Sequence, residues 1–174
     1  MRALIVVESM FGNTRAIAGA IAAGLGPEVV ADVVDVLDAP STIAPGIDLL
    51  VVGGPTQVFG MSRPGSRQDA ARQAERPRED ARTGVREWLH QVDLGGLRSA
   101  AAFDTEIDRK WVPGSAAHGI AKALRGLGAA PIVPSETFRV TGTPGPLAAG
   151  ELNRAGVWGR RLARTVLASA AGKA

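Results

Sequence analysis

The sequence contains no cysteine, no tyrosine and only two histidines, His90 and His118. The lack of cysteine excludes a disulfide framework, a thiolate nucleophile and a cysteine-based metal site, and two histidines nearly exclude a histidine metal cluster. Aromatic residues form only 4% of the chain. Because cysteine is absent and histidine is scarce, we predict no metal site. We expect both histidines to lie at the surface or at helix ends.

Long apolar runs are also missing, because nowhere do 18 apolar residues follow one another. Met1 and Arg2 lead directly into a strand-like segment, without the apolar core and cleavage site of a signal peptide. These two absences predict a cytoplasmic protein with no membrane partner. With 174 residues, of which 45% are hydrophobic, the chain is large enough to bury one core. We therefore expect a single domain over residues 1–174.

A strong excess of one charge is absent as well, since the formal net charge is only +3. Much of the arginine is concentrated in residues 63–82, where it is interleaved with Asp69, Glu75, Glu79 and Asp80. Mixed charges without aromatic residues or a glycine-spaced RNA motif indicate that nucleic acid is not a partner. We predict that this arginine-rich segment is a solvated, partly helical insertion.

What the chain does contain is a regular alternation of two kinds of segment. Strand-like apolar runs occupy residues 2–8, 28–36, 48–54, 97–104 and 131–140. Helix-like segments occupy residues 14–25, part of 67–91, 115–127 and 150–169. Strands that are apolar throughout are buried on both faces, so helices must cover both sides of the sheet. The sequence thus predicts an α/β fold, a doubly wound five-stranded parallel sheet in the flavodoxin-like order 2-1-3-4-5, with the arginine-rich insertion after strand 3.

A sheet of this topology binds ligands in a crevice outside the carboxyl ends of strands 1 and 3. The loop after strand 1 is ESMFGNT, residues 8–14. Gly12 permits a tight reversal, Ser9, Asn13 and Thr14 carry short side chains that can donate hydrogen bonds, and the following helix adds its N-terminal N–H groups. These features predict a phosphate site without lysine, and an ordinary capped turn is the alternative. ATP, GTP and NAD are disfavoured because the patterns GxxxxGK[ST] and GxGxxG are absent.

The loop after strand 3, GGPTQVFGMSRPG at residues 53–65, favours a planar ligand. Its paired glycines, Gly53 and Gly54, would let a flat group approach the backbone. The residues that follow combine a stiff turn, polar contacts and an apolar face, and they are Pro55, Thr56, Gln57, Phe59 and Gly60. This combination predicts a site for a planar ring with polar edges.

The loop after strand 4 is the third candidate. Asp104 and Thr105 stand at the carboxyl end of that strand, and Trp111 follows in the loop. We expect Trp111 to close a hydrophobic flap rather than to contact a ring. Trp88 and Trp158 lie on helix-like segments, so we predict that both belong to the core.

With these three loops in place, the sequence resembles the flavodoxin-like family. SMFGNTRAIA at residues 9–18 resembles the family's loop for the phosphate of flavin mononucleotide (FMN), and GGPTQVFGMS at residues 53–62 resembles the PTRFG-type loop of flavodoxin-fold NAD(P)H:quinone oxidoreductases. The resemblance implies FMN as the cofactor. It implies a phosphate cradle formed by Ser9, Met10, Phe11, Gly12, Asn13 and Thr14. It also implies contacts along the flavin from Pro55, Thr56, Gln57, Val58, Phe59 and Gly60, with Asp104 and Thr105 at its far edge.

The same resemblance implies a redox protein that carries electrons through a non-covalent flavin, with no side chain required as a catalytic acid or nucleophile. Two alternatives stay open. One is an FMN-dependent NAD(P)H:quinone oxidoreductase, whose partners would be NAD(P)H and a quinone instead of a redox partner protein. The other is a binding module that has lost FMN, which the low aromatic content and the arginine-rich insertion motivate. The oligomeric state stays open as well.

Overall fold

The computed structural model describes residues 1–57, 60–73, 82–108 and 114–172 of the chain. Its strands are β1 Arg2–Val7, β2 Val30–Asp35, β3 Leu49–Gln57, β4 Gly60–Met61, β5 Ser99–Ile107, β6 Ala130–Pro131 and β7 Glu136–Val140. Its helices are α1 Asn13–Leu25, α2 Pro64–Gln73, α3 Val85–Gln91, α4 Ala116–Gly126 and α5 Glu151–Ala171. The five predicted strand regions are confirmed, with shifts of a few residues at their ends.

The sheet confirms the predicted strand order. β2, β1, β3 and β5 lie side by side in parallel, and the fifth predicted strand is divided into β6 and β7, which both pair in parallel with β5. Pro134 lies between these two short strands and has no N–H group to offer the ladder, which gives a physical reason for the break. A short antiparallel strand that was not predicted, β4, pairs with the end of β3.

Helices cover both faces of the sheet, as the apolar strands predict. Alternate residues of β1 point to opposite sides, so that Ile5 packs in the layer of α1 and α5, and Val6 packs in the layer of α3 and α4. Trp158 belongs to the first layer and Trp88 to the second, and both are buried, which confirms their prediction as core residues. Among the residues described, no helix is both long enough and apolar enough to cross a membrane.

Of three expectations about exposure, the one for β2 is wrong, the one for the histidines is confirmed, and the one for the insertion has an exception. β2 is an edge strand rather than a strand buried on both faces, and its Val30 is 60% exposed. Residues 74–81 of the arginine-rich insertion lie outside the described residues. Its helix α2 is mostly exposed, as predicted, but Arg67 within it is fully buried. His90 and His118 are both exposed, as predicted. The buried arginine therefore needs an explanation that composition does not provide.

Candidate cofactor site

A crevice opens at the carboxyl ends of β1, β3 and β5, where the winding of the sheet reverses. Its enclosed part measures about 60 Å³, several times the roughly 10–15 Å³ that one water molecule requires. The described residues that line it are Met10, Phe11, Asn13, Thr14, Pro55, Thr56, Gln57, Thr105, Ile107, Val140 and Thr143. The structure therefore brings the three predicted loops together in one place.

The first loop turns sharply from β1 into α1. Gly12 has a φ angle of 86°, in the left-handed region that glycine adopts without strain. Ser9 Oγ accepts a hydrogen bond from the N–H of Arg15 at 3.2 Å, and the Arg15 side chain turns outward to pair with Asp35. Among the described residues, no acceptor takes the backbone N–H groups of Asn13 and Thr14. These free donors at the positive end of a helix favour an anionic ligand.

Two buried threonines from different loops meet at the crevice. The hydroxyl oxygens of Thr14 and Thr105 lie 2.8 Å apart, and the residues are only 2% and 5% exposed. Each hydroxyl carries one proton, so the bond between them uses one proton and leaves the other. No acceptor in the described part of the chain takes the second proton. Because an unpaired buried donor is costly, the pair favours a ligand with acceptor oxygens at this point.

The segment of residues 141–150 closes one side of the crevice. Its contribution to the site was not predicted from the sequence. Asn13 Nδ2 donates to the carbonyl oxygen of Pro144 at 3.1 Å, which ties this segment to the first loop. The lining residues that were missed are Ile107, Val140 and Thr143. A signal for the segment was present, since it directly follows the last strand and therefore starts at the same edge of the sheet as the other loops.

Asp104 was predicted at the far edge of the flavin, and this role stays a prediction. Its side chain is fully buried, and it does not line the crevice formed by the described residues. Asp104 Oδ2 accepts hydrogen bonds from Thr56 Oγ1 at 2.8 Å, Ser115 Oγ at 2.7 Å and the N–H of Ala117 at 2.9 Å. Thr56 Oγ1 also accepts from the N–H of Ala116 at 2.8 Å. The carboxylate thus turns to the N-terminus of α4, whose N–H groups stabilise it, and holds the end of β3 there.

The paired glycines of the second loop pack closely within the chain. A Cβ at Gly53 would lie 2.1 Å from Cζ of Phe103, so this glycine makes room for an aromatic ring of the core. A Cβ at Gly54 would meet Glu8 Cβ at 3.8 Å and Val85 Cγ2 at 3.9 Å, which are ordinary contacts on the other face of the sheet. Both glycines thus serve packing within the chain, and their predicted role of admitting a flat ligand stays a prediction.

The remaining predicted residues of the second loop lie in different places. Pro55 and Gln57 line the crevice, and Gln57 Oε1 is a buried acceptor without a donor among the described residues. Gly60 lies in β4, which pairs with Thr56 and Gln57 of β3. Val58 and Phe59 lie outside the described residues, as does Trp111 in the third loop. Their predicted roles stay predictions.

A network of charges fixes both ends of residues 141–150. Glu151, the first residue of α5, accepts a hydrogen bond from the N–H of Arg139 at 2.8 Å and from Arg154 Nη2 at 2.6 Å. Arg154 also pairs with Glu136 and lies 4.5 Å above the ring of Phe138. Because Arg139 precedes the segment and Glu151 follows it, this network holds the segment against the crevice.

The pKa of Glu151 predicts how this network responds to acid. Burial raises the pKa, but hydrogen bonds from Arg154 and from the N–H of Arg139, with the charges of both arginines, bring it below its ordinary value of 4.5. The unfolded chain therefore binds a proton at a higher pH than the folded chain, so this contribution to stability is lost as the pH falls below about 4.5. Glu151→Gln should make the loss of unfolding free energy between about pH 5 and pH 3 smaller, measured by urea unfolding.

Glu106 provides a control, because its pKa is shifted in the direction opposite to that of Glu151. Burial raises its pKa more than the charge and hydrogen bond of Arg139 lower it, and the nearby Asp104 adds to the rise. As the pH falls, the folded chain therefore binds a proton at Glu106 at a higher pH than the unfolded chain does. This difference adds to stability as the pH falls through the folded pKa towards the ordinary value of 4.5. Glu106→Gln should therefore make the acid-induced loss of stability steeper. An equal pH dependence of the unfolding free energy in Glu151→Gln and Glu106→Gln would contradict the opposite pKa shifts of the two carboxyl groups.

No protein-family model matches the sequence, and no curated protein matches it either. Solved structures do match. A flavodoxin from the domain Archaea is 20% identical, with 96% of this chain and 99% of that chain covered and a TM-score of 0.64. Oxidised flavodoxin 1 from Bacillus cereus is 20% identical, with 94% and 98% covered and a TM-score of 0.67. A WrbA-like flavodoxin from Agrobacterium tumefaciens is 16% identical, with 95% and 97% covered and a TM-score of 0.54.

These matches extend over nearly the whole length of each chain and agree with the observed strand order. The protein therefore has the flavodoxin-like fold, which confirms the resemblance found in the sequence at the level of the fold.

Proposed function

We propose that this protein binds FMN non-covalently in the crevice and takes part in electron transfer. The observation that carries the proposal is the set of hydrogen-bond donors left without acceptors at one point. They are the backbone N–H groups of Asn13 and Thr14 and the remaining hydroxyl proton of the Thr14 and Thr105 pair. A phosphate group has enough acceptor oxygens for all of them, and the N-terminus of α1 compensates its charge without a lysine.

The rest of the crevice suits the other parts of the ligand. Pro55 and Gln57 offer an apolar contact and a buried acceptor beside the phosphate position, and Gln57 Oε1 can accept from an N–H group of a flavin ring. The enclosed volume of about 60 Å³ suits the phosphate end, so the ring would lie towards the open mouth. A bound flavin supplies one-electron and two-electron chemistry, and the protein contributes binding, orientation and exclusion of water.

The test is to purify the protein and record its visible absorption, then to titrate the flavin-free form with FMN and with riboflavin, which lacks the phosphate. We expect a flavin absorption band, saturable uptake of FMN and weaker binding of riboflavin, because the donors at α1 are satisfied only by the phosphate. A colourless protein that takes up neither ligand would contradict the proposal.

Electron transfer to a partner protein and NAD(P)H-dependent quinone reduction are two forms of this function. The neighbours named above are flavodoxins and a WrbA-like flavodoxin, and their likeness supports a flavin protein without choosing between the two forms. Oxidation of NADPH or NADH with a quinone as acceptor separates them, since a carrier alone needs a reductase to receive electrons. Turnover that stops when FMN is removed would assign the quinone reductase.

The second candidate function is a binding module without flavin. One observation favours it: the side-chain amide of Asn13 already donates to Pro144, so one of the predicted phosphate donors is occupied within the chain. The titration decides between the two candidates. Retained colour or FMN uptake excludes the second one, and the absence of both leaves it.

A further inference from the structure

The buried arginine of the insertion belongs to a cluster that we call the Arg67 cluster, formed by Glu8, Ser62, Arg67 and Glu87. Arg67 is completely buried, and Glu8 and Ser62 are each 1% exposed. Arg67 Nη1 donates to Ser62 Oγ at 2.7 Å, and Ser62 Oγ donates in turn to Glu8 Oε1. Arg67 Nη2 donates to Glu87 Oε2 at 2.8 Å and to the carbonyl oxygen of Arg82 at 2.7 Å.

The surrounding backbone is shaped to admit these charges. Glu8 Oε2 accepts from the N–H of Val85 at 2.9 Å, so both oxygens of the buried carboxylate have donors. A Cβ at Gly84 would lie 2.4 Å from Arg67 Nη1 and 2.6 Å from Glu8 Oε2, so glycine is required there. Buried charges are tolerated only when they are paired and hydrogen-bonded, as they are here. The insertion therefore places an arginine inside the protein, where neighbouring groups pair its charge and accept its hydrogen bonds.

The Arg67 cluster connects the two loops of the candidate site. Glu8 is the first residue of the first loop, and its N–H donates to the carbonyl oxygen of Gly53 at 2.9 Å. Ser62 directly follows β4, which pairs with Thr56 and Gln57 at the crevice. From α3, Arg86 Nη2 donates to the carbonyl oxygen of Met61 at 2.8 Å. The strand pair β3 and β4 is thus anchored at its far end by side chains of the insertion and α3.

We infer that Arg67 is a positioning residue for the ring part of the crevice, an inference that rests on the proposed FMN function. Arg67 donates to Ser62, Glu87 and the carbonyl oxygen of Arg82, and none of these three residues lines the crevice. It acts through Ser62, which fixes where β4 leaves the crevice and therefore where Thr56 and Gln57 lie. When the bond from Arg67 to Ser62 is lost, Thr56 and Gln57 adopt the binding arrangement for a smaller fraction of the time. The apparent affinity for the ligand falls by the same fraction. The phosphate donors, the N–H groups of Asn13 and Thr14, belong to the first turn of α1, which begins five residues after Glu8, so we expect them to keep their places when Arg67 is replaced.

The experiment compares Arg67→Met with Arg72→Met. Arg72 is an exposed arginine of the same helix, and its ion pair in the described part of the chain is with Asp69 at the surface. Binding of FMN and of riboflavin is measured by titration at a temperature where both variants are folded. For Arg67→Met we expect affinities about tenfold lower for both ligands, with the ratio of the two affinities unchanged. Arg72→Met should bind as the wild type does. Wild-type affinity for riboflavin in Arg67→Met, or a loss confined to FMN, would overturn the inference.

Amide hydrogen exchange of the flavin-free proteins tests the same inference without a ligand. Arg67→Met should exchange faster at residues 56, 57, 60 and 61, while exchange within α1 stays at the wild-type rate. Unchanged exchange in the strand pair would overturn the inference even if FMN binds. Failure of the wild type to bind flavin would instead reject the proposed function, and the exchange result would still decide the role of Arg67. Arg67→Lys, which keeps the charge but lacks the forked donors, replaces Arg67→Met if that variant does not fold.

Discussion

Gly53→Ala should reduce the unfolding free energy by about 3 kcal/mol, the upper end of the usual cost of overpacking a core. The added methyl group would lie 2.1 Å from Cζ and 2.3 Å from Cε1 of Phe103. Phe103 cannot move away easily, because its ring packs edge to face against Phe138 and Trp158 with centroids 6.1 and 6.3 Å apart. Urea unfolding measures the effect as a lower midpoint.

Gly54→Ala is the matched control for this prediction. The two glycines are neighbours on β3, but the methyl group at position 54 would make only ordinary contacts, at 3.8 Å to Glu8 and 3.9 Å to Val85. Alanine also costs less conformational entropy than glycine within a strand, so we expect a change within about 1 kcal/mol. Equal destabilisation by the two substitutions would show that the effect belongs to the glycine pair and not to the Phe103 contact.

The two glycines also show how far the sequence predicts the fold. Continuous apolar runs such as residues 2–8 determine that the sheet is covered on both sides, so its topology follows from local patterns. Which side a glycine within a strand faces depends on the register and on what the opposite layer contains. Phe103 comes from another strand 50 positions along the chain, and local sequence does not contain that pairing.

The insertion illustrates a different limit. Residues 63–82 have the composition of a solvated segment, and most of α2 is exposed. One residue in it, Arg67, is nevertheless fully buried, because Glu8, Ser62 and Glu87 supply its partners from other elements. Composition averages over the segment, whereas the burial of a single charge is decided by the donors and acceptors that tertiary structure brings to it.

The candidate site was predicted where the general rule for parallel sheets places it, at the carboxyl ends of β1, β3 and β5. The rule identifies the loops, and short polar side chains such as Thr14 then identify candidates within them. It does not give the direction of a side chain at a strand end. Asp104 turns to the N-terminus of α4, because N–H groups there stabilise a carboxylate. Thr143 was missed because its place depends on the long-range bond between Asn13 and Pro144.

Thr14→Val should weaken FMN binding by about 1.5 to 3 kcal/mol, the usual contribution of a hydrogen bond to a charged group, which corresponds to about 10-fold to 150-fold in affinity. Valine keeps the shape of threonine but removes the hydroxyl that shares a proton with Thr105. In the wild type, the second proton of that pair is the donor available to a phosphate oxygen. Without the Thr14 hydroxyl, the donor at the first turn of α1 is lost, and the single proton that remains of the pair belongs to Thr105 on β5.

Riboflavin distinguishes this effect from general damage to the crevice. It lacks the phosphate, so its affinity for Thr14→Val should equal its affinity for the wild type, and the ratio of FMN to riboflavin affinity should fall. This pattern is the opposite of the one expected for Arg67→Met, in which both affinities fall together. Thr165→Val on α5 is the control for removal of a hydroxyl remote from the crevice, because the Thr165 hydroxyl donates to the carbonyl oxygen of Arg161 within its own helix. If Thr14→Val lowers both affinities equally, the hydroxyl pair supports the ring and not the phosphate.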